Sequence, residues 1–154
     1  DVALTQAMEI YEKPVFISHG NCRALVPGDR QISDEQLKQV AARNGVIGVV
    51  LDAWMLLPGY KIGETPNDAV TLRTLAQHID HICQVTGSVK HAAIGSDLDG
   101  GFGTEQGPSD LNTIADLHKL RPILSDMGYK TADIDAIFFG NWLRFFSDNL
   151  PVAR

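Results

Sequence analysis

Three short apolar runs punctuate the chain: Val15-Phe16-Ile17 at 14–18, Val46-Ile47-Gly48-Val49-Val50-Leu51 at 45–51, and Ala92-Ala93-Ile94-Gly95 at 92–95. The first two are rich in β-branched residues and do not alternate with polar ones. That is the pattern of strands buried on both faces, which belong to parallel sheets. Between them the period changes to that of helices. Residues 2–13 place Leu4, Met8 and Tyr11 at steps of four and three. Residues 34–44 follow Ser33, a suitable cap, and carry Leu37, Val40 and Ala41 on one side. Residues 69–86 set Leu72, Leu75, Ile79 and Ile82 at steps of three, four and three, with Gly87 as a stop. A helical tail begins near Leu111. The order helix, strand, helix, strand, helix, strand predicts an α/β fold with right-handed crossovers.

The strand ends are polarised. Ile17-Ser18 runs into His19, Leu51 into Asp52-Ala53-Trp54, and Gly95-Ser96 into Asp97. The carboxyl ends of parallel strands are where α/β folds bind ligands. Two long loops come next, 52–67 and 100–110, of a length usual for lids or binding loops. Trp54 stands where a pocket wall is expected; otherwise both tryptophans read as packing residues.

Composition narrows the classes. The 154 residues are 44% hydrophobic and 21% charged, with a net charge of −6. The thirteen Lys and Arg are scattered, which argues against a nucleic-acid or anionic-membrane partner. No apolar run approaches the length of a membrane span. Cys22 and Cys83 are too few for a disulfide scaffold and read as reduced thiols. The start at Asp1, without Met or a signal-like segment, suggests a processed chain or a fragment.

Several residues are candidates for chemistry. His19, at a strand end, is placed either as a metal ligand or as a core histidine bonded to backbone. Asp97 and Asp99 share a face if the strand persists through them. A turn at Leu98 separates them, and the glycines that follow favour that turn. A calcium loop starting at Asp97 fails, because its sixth position is Phe102 and its twelfth Pro108. A phosphate loop fails for want of Lys-Ser or Lys-Thr after Gly103. Arg30 is placed either to clamp a carboxylate with two parallel hydrogen bonds or to lie solvated on the surface. His78 and His81, in HIDHI, lack metal-binding company and read as a partly exposed helix face. Cys22 reads as a small buried hydrophobe.

Taken together, PVFISHGNCRAL, GDRQISDEQL, HIDHICQVTG, AAIGSDLDGGFG and GNWLRFF closely resemble the renal or membrane dipeptidase family of zinc peptidases, in order and along the whole chain. The resemblance implies part of a (β/α)8 TIM barrel, from about helix five through strand eight and the C-terminal helices, with a site for two zinc ions at its carboxyl rim. It implies that His19 is a metal ligand, that Arg30 holds the terminal carboxylate of a dipeptide substrate, and that Asp97 is the acid/base facing a metal-activated hydroxide. Asp99 then serves loop structure. Gly20, where the family commonly has Ser, and Gln31, where it has Asn, are departures beside matched residues. The family's His-x-Asp pair, bridging glutamate and second metal histidine have no counterpart in residues 1–154. The expectation is therefore that the N-terminal half of the barrel comes from elsewhere and that the chain alone is inactive. Family members often pair as homodimers. N-acyl amino acids or lactams are alternative substrates, and a non-catalytic barrel remnant is the alternative to an enzyme.

Overall fold

A computed structural model describes residues 2–151. Helix α1 (Val2–Ile10) leads to strand β1 (Phe16–Ile17), helix α2 (Asp34–Ala42), strand β2 (Val46–Val50), helix α3 (Leu72–Thr86) and strand β3 (Ala92–Ser96). Helices α4 (Leu120–Asp126), α5 (Thr131–Asp135) and α6 (Asn141–Asn149) form the tail, the last two joined by a π-helical stretch at Ala136–Gly140. The strands make one parallel sheet in the order β1-β2-β3, with Phe16 opposite Val46 and Ile47 opposite Ala92. The expected alternation and polarity therefore hold, in a mixed α/β fold.

Local chemistry sets the boundaries. Ser33 caps α2 reciprocally with Gln36: the Gln36 amide donates to Ser33 Oγ at 3.3 Å and the Ser33 amide to Gln36 Oε1 at 3.0 Å. Gly87, at φ 68°, ends α3 in a left-handed cap. α3 begins at Leu72 rather than 69, because a 3-10 turn at Asn67–Ala69 precedes it. β1 is shorter than the apolar run that predicts it. Pro14 brings no amide to a ladder, and beyond Ile17 the chain crosses over the sheet.

All five residues of β2 are buried, as a strand covered on both faces requires. On one face Ile47, Val49, Leu51 and Ala92 pack with Leu37 and Val40 of α2 and with Leu72, Leu75, Ile79 and Ile82 of α3. On the other, Val46 and Ala93 meet Phe145 and Trp142 of α6. α6 also tends the edge strand: Asn141 Nδ2 donates to the carbonyls of Val89 at 2.7 Å and Ala92 at 2.8 Å, and Trp142 Nε1 to that of Ile94 at 3.0 Å. Among the described residues, no helix is long and apolar enough to cross a membrane.

Between β2 and β3 the register slips by one residue, Val49 facing Ile94 and Val50 facing Ser96, so that Gly95 is the extra residue of a bulge. A Cβ on Gly95 would lie 2.2 Å from the Ser18 carbonyl oxygen, and one on Gly48 would lie 2.3 Å from the same atom. The Ser18 carbonyl thus rests over both glycines, drawing the end of β1 across β2 towards the end of β3. Gly95→Ala sets a methyl against backbone that has nowhere to move, and is expected to destabilise the protein by about 2–3 kcal/mol. Gly107→Ala, with nothing within 4 Å of the added carbon, should stay within about 0.5 kcal/mol of wild type. Urea unfolding midpoints check both.

Candidate active site at the carboxyl rim

The three candidate residues lie at the carboxyl ends of parallel strands or on the loops leaving them. His19 comes after β1, half-buried, with Nδ1 2.8 Å from Ser18 Oγ. A hydroxyl holding Nδ1 orients the ring and leaves Nε2 for another partner. Arg30 is exposed, and its Nη2 donates to the His19 carbonyl oxygen at 3.4 Å. The loop between them therefore closes on itself and brings the two residues together. Cys22 and Ile32 form a parallel bridge across its base.

Asp97 ends β3. Ser96 and Asp97 have φ of 41° and 64°, two consecutive non-glycine residues in left-handed backbone. Such strain gathers where a side chain must be aimed. The Gly100 amide donates to the Asp97 carbonyl at 2.8 Å, closing a turn over Leu98 and Asp99. A Cβ on Gly100 would stand 2.9 Å from Asp97 Oδ1, so only glycine lets the turn pack on that carboxylate. The turn separates Asp97, half-buried, from Asp99, which is exposed.

Other side chains, none of them assigned a site role from the sequence except Trp54 as a pocket wall, fix the rim. Asn21, buried, donates through Nδ2 to the carbonyls of Val50 at 3.0 Å and Met55 at 3.2 Å, and its Oδ1 accepts the Val50 amide at 3.0 Å. Gln31, also buried, donates to the Met55 carbonyl at 2.8 Å. Asp52, at the end of β2, accepts from Trp54 Nε1 at 2.7 Å and from Gln106 Nε2 at 2.8 Å. The Tyr60 hydroxyl donates to the Glu105 carbonyl at 3.0 Å. The two long loops are thus clasped together beside the rim. Trp54, 40% exposed, stands on this clasp.

Of the two histidines of HIDHI, His78 departs from expectation and His81 does not. His78 is 1% exposed, turned into the core rather than lying on an outer face. The Cys22 amide donates to its Nδ1 at 3.1 Å. Burial lowers its pKa from 6.5 to about 4, against the opposing effect of a hydrogen bond to the Leu56 backbone. The signal was present: His78 lies three residues after Leu75 and four before Ile82, on the apolar stripe. His81 is half-buried, its Nε2 2.7 Å from Asp34 Oδ1. Cys22 and Cys83 are free and buried. Burial, helped by the nearby Asp34 charge, pushes the Cys22 thiol far above its ordinary range, and burial lifts Cys83 to about 11. Neither is a thiolate nucleophile.

Among the described residues no group of three or more His, Cys, Asp or Glu side chains could hold a metal ion.

The family model described as membrane dipeptidase, peptidase family M19, matches residues 1–153. A Klebsiella pneumoniae protein, described as an uncharacterized protein in the pqqA 5' region, is 33% identical over 132 residues, which is 85% of this chain and 45% of that protein. The dipeptidase aclJ of Aspergillus oryzae is 30% identical over 141 residues, 92% of this chain and 31% of that one. The chain thus spans less than half the length of these relatives. The crystal structure of a metallo peptidase from Rhodobacter sphaeroides, liganded with a phosphinate mimic of the dipeptide L-Ala-D-Ala, superposes with a TM-score of 0.77 at 22% identity. It covers 90% of this chain and 37% of that one. An amidohydrolase from Pseudomonas aeruginosa gives 0.76 at 22%, over 93% of this chain and 48% of that one.

Two placements have measurable consequences. Because His78 binds its proton more weakly folded than unfolded, stability is full above its ordinary pKa and is lost as pH falls through the window from 6.5 towards 4. The expected loss between pH 7 and 4.5 is about 2 kcal/mol. Urea unfolding should show it in wild type, with a smaller slope in His78→Asn. Both thiols should resist iodoacetamide at pH 8 while the protein is folded and react once it is denatured, as mass spectrometry would record.

Proposed function

Because the chain belongs to the membrane dipeptidase family, peptidase family M19, we propose that it is the carboxyl-terminal part of a single (β/α)8 barrel that hydrolyses dipeptides with zinc. A full barrel needs about 250 residues, and a three-stranded parallel sheet leaves two edges for neighbours. This chain gives that enzyme one metal ligand, His19, the carboxylate clamp, Arg30, and the proton-transfer group, Asp97.

The observation that carries the reading is the shared rim. His19 and Arg30 are tied by a 3.4 Å contact on the loop after β1, and Asp97 is held at the matching end of β3. The donor chemistry fits a metal: an imidazole with Nδ1 bonded to Ser18 has Nε2 to give. His19 would hold one of two zinc ions, its remaining ligands coming from the other part of the barrel. Zinc, when bound, contributes Lewis-acid chemistry, lowering the pKa of water and polarising the amide carbonyl.

The chain's own residues do the rest. The Arg30 guanidinium uses one nitrogen on the His19 carbonyl and keeps other N–H groups for a substrate carboxylate. That fixes the free carboxylate one residue from the scissile bond, hence dipeptides. Asp97 takes a proton from the attacking water and passes it to the amine nitrogen as the C–N bond breaks, leaving a carboxylic acid and an amine. N-acyl amino acids carry the same carboxylate, and a substrate series separates them from dipeptides.

In the complete protein we expect about two zinc per chain by elemental analysis and dipeptide turnover, whereas the chain of residues 1–154 alone should give neither. Arg30→Ala should raise KM for a dipeptide roughly 30-fold, about 2 kcal/mol, with little change for the dipeptide amide. Asp97→Asn should lower kcat by about 10²–10⁴-fold with zinc retained. Turnover by the lone chain, or its absence from the zinc-loaded complete protein, overturns the proposal.

A further inference from the structure

His78 belongs to no step of the dipeptide chemistry, yet its bonds go to the segments on which that chemistry depends. Its Nδ1 accepts the Cys22 amide at 3.1 Å, and the Leu56 backbone lies close enough to the imidazole to favour its protonated form. Cys22 Sγ in turn lies 3.5 Å from the His78 carbonyl oxygen. Cys22 stands between His19 and Arg30, and Leu56 lies on the loop after β2. One residue in the middle of α3 therefore grips the loop leaving β1 and lies against the loop leaving β2.

The loop from 18 to 33 is tied within itself by the Cys22–Ile32 bridge and by the Arg23 guanidinium on the carbonyls of Gly28 and Gln31, and to β2 and the loop after it by the Gly20 amide on the Gly48 carbonyl and by the side chains of Asn21 and Gln31 on the carbonyls of Val50 and Met55; His78 adds its tie to α3. At this depth the Cys22 amide needs an acceptor. Leucine gives none, and a protonated imidazole has lost it, so the ring must be neutral with Nδ1 bare and its proton on Nε2. α3 does not need the histidine to stay packed, since Leu75, Ile79 and Ile82 hold that face.

Resting on the dipeptidase reading, we propose that His78 is a positioning residue of the rim, acting through the Cys22 backbone to hold His19 and Arg30 at the separation that one substrate spans. It touches neither substrate nor metal. Its effect falls on the loop rather than on the sheet.

The test uses the complete zinc-loaded protein with His78→Leu, which keeps bulk without an acceptor, and His78→Asn, whose Oδ1 can occupy the place of Nδ1. In His78→Leu, KM for the dipeptide should rise at least tenfold, and hydrogen exchange in residues 19–32 should quicken at least tenfold. Exchange in 46–50 and 92–96 should stay at wild-type rates. His78→Asn should recover most of both effects. Unchanged KM and loop exchange in His78→Leu, loosening spread evenly over the sheet, or no rescue by Asn each overturns the proposal. Where His78→Leu fails to fold, ¹⁵N spectra of the wild-type imidazole decide: a proton on Nε2 is expected, and a proton on Nδ1 refutes the assignment. A wild-type protein without dipeptidase turnover counts against the proposed function, while the exchange and tautomer measurements still judge His78.

Discussion

The rim depends on one buried amide. Asn21 gives its Nδ2 to the Val50 carbonyl and takes the Val50 amide on Oδ1, both at 3.0 Å. A side chain here makes the pair of bonds that a neighbouring strand residue makes through its backbone. β1 has only two residues in the ladder, too few to fix the path of the loop beyond Ile17, whereas β2 continues to Val50. The amide extends the pairing of these strands past the point where the β1 backbone leaves the sheet. Buried and fully engaged, it is the kind of polar group that specifies one arrangement, because leaving any of its atoms unpaired is costly. From that tether the loop runs to Cys22 on His78, returns through Gln31 on Met55, and closes with Arg30 on the His19 carbonyl.

Much of this frame was legible in the residues. The unbroken apolar run at 45–51 has one stable use, a strand covered on both sides, and β2 is buried at every position. The polar residues at the strand ends marked the rim before any geometry was known, and the glycines after Leu98 marked the turn that separates Asp97 from Asp99. What escaped was long-range satisfaction of polar groups. Asn21 carries no local signal, because its partners lie 29 and 34 residues away. His78 was legible by period but not by type: polarity argued for the surface, and only the buried Cys22 amide explains an imidazole inside. The brevity of β1 follows from the path of Ser18 over Gly48 and Gly95, which two glycines in separate strands do not disclose.

Asp97 shows how aim is secured. Two successive residues in left-handed backbone cost of order 1–3 kcal/mol each, and of the two only Asp97 is a residue type that tolerates it. The surroundings impose it. The Leu51 amide holds the Ser96 carbonyl at 3.0 Å, the Asp97 amide turns back to the Gly95 carbonyl at 2.7 Å, and Gly100 presses on the carboxylate from the far side of the turn. A side chain so constrained loses little further freedom on binding, which is what preorganisation asks of the acid/base role proposed for Asp97.

The sheet itself argues for a larger assembly. A parallel sheet needs both faces covered, and helices α2 and α3 cover one. The other carries the Ser18 crossing and α6, whose aromatic rings gather around Phe16: Trp142, Phe145 and Phe146 stand 5.6, 5.3 and 5.6 Å from it, ring centre to ring centre. Even so Phe16 remains 45% exposed and Leu143 62%. In the proposed barrel, further strands would cover this same face and bring the ligands that His19 lacks. Closing the core and completing the metal site would then be one event, so that metal binding and folding draw on the same free energy. A half that can aim its residues but not bind the metal alone would confine hydrolysis to the finished barrel.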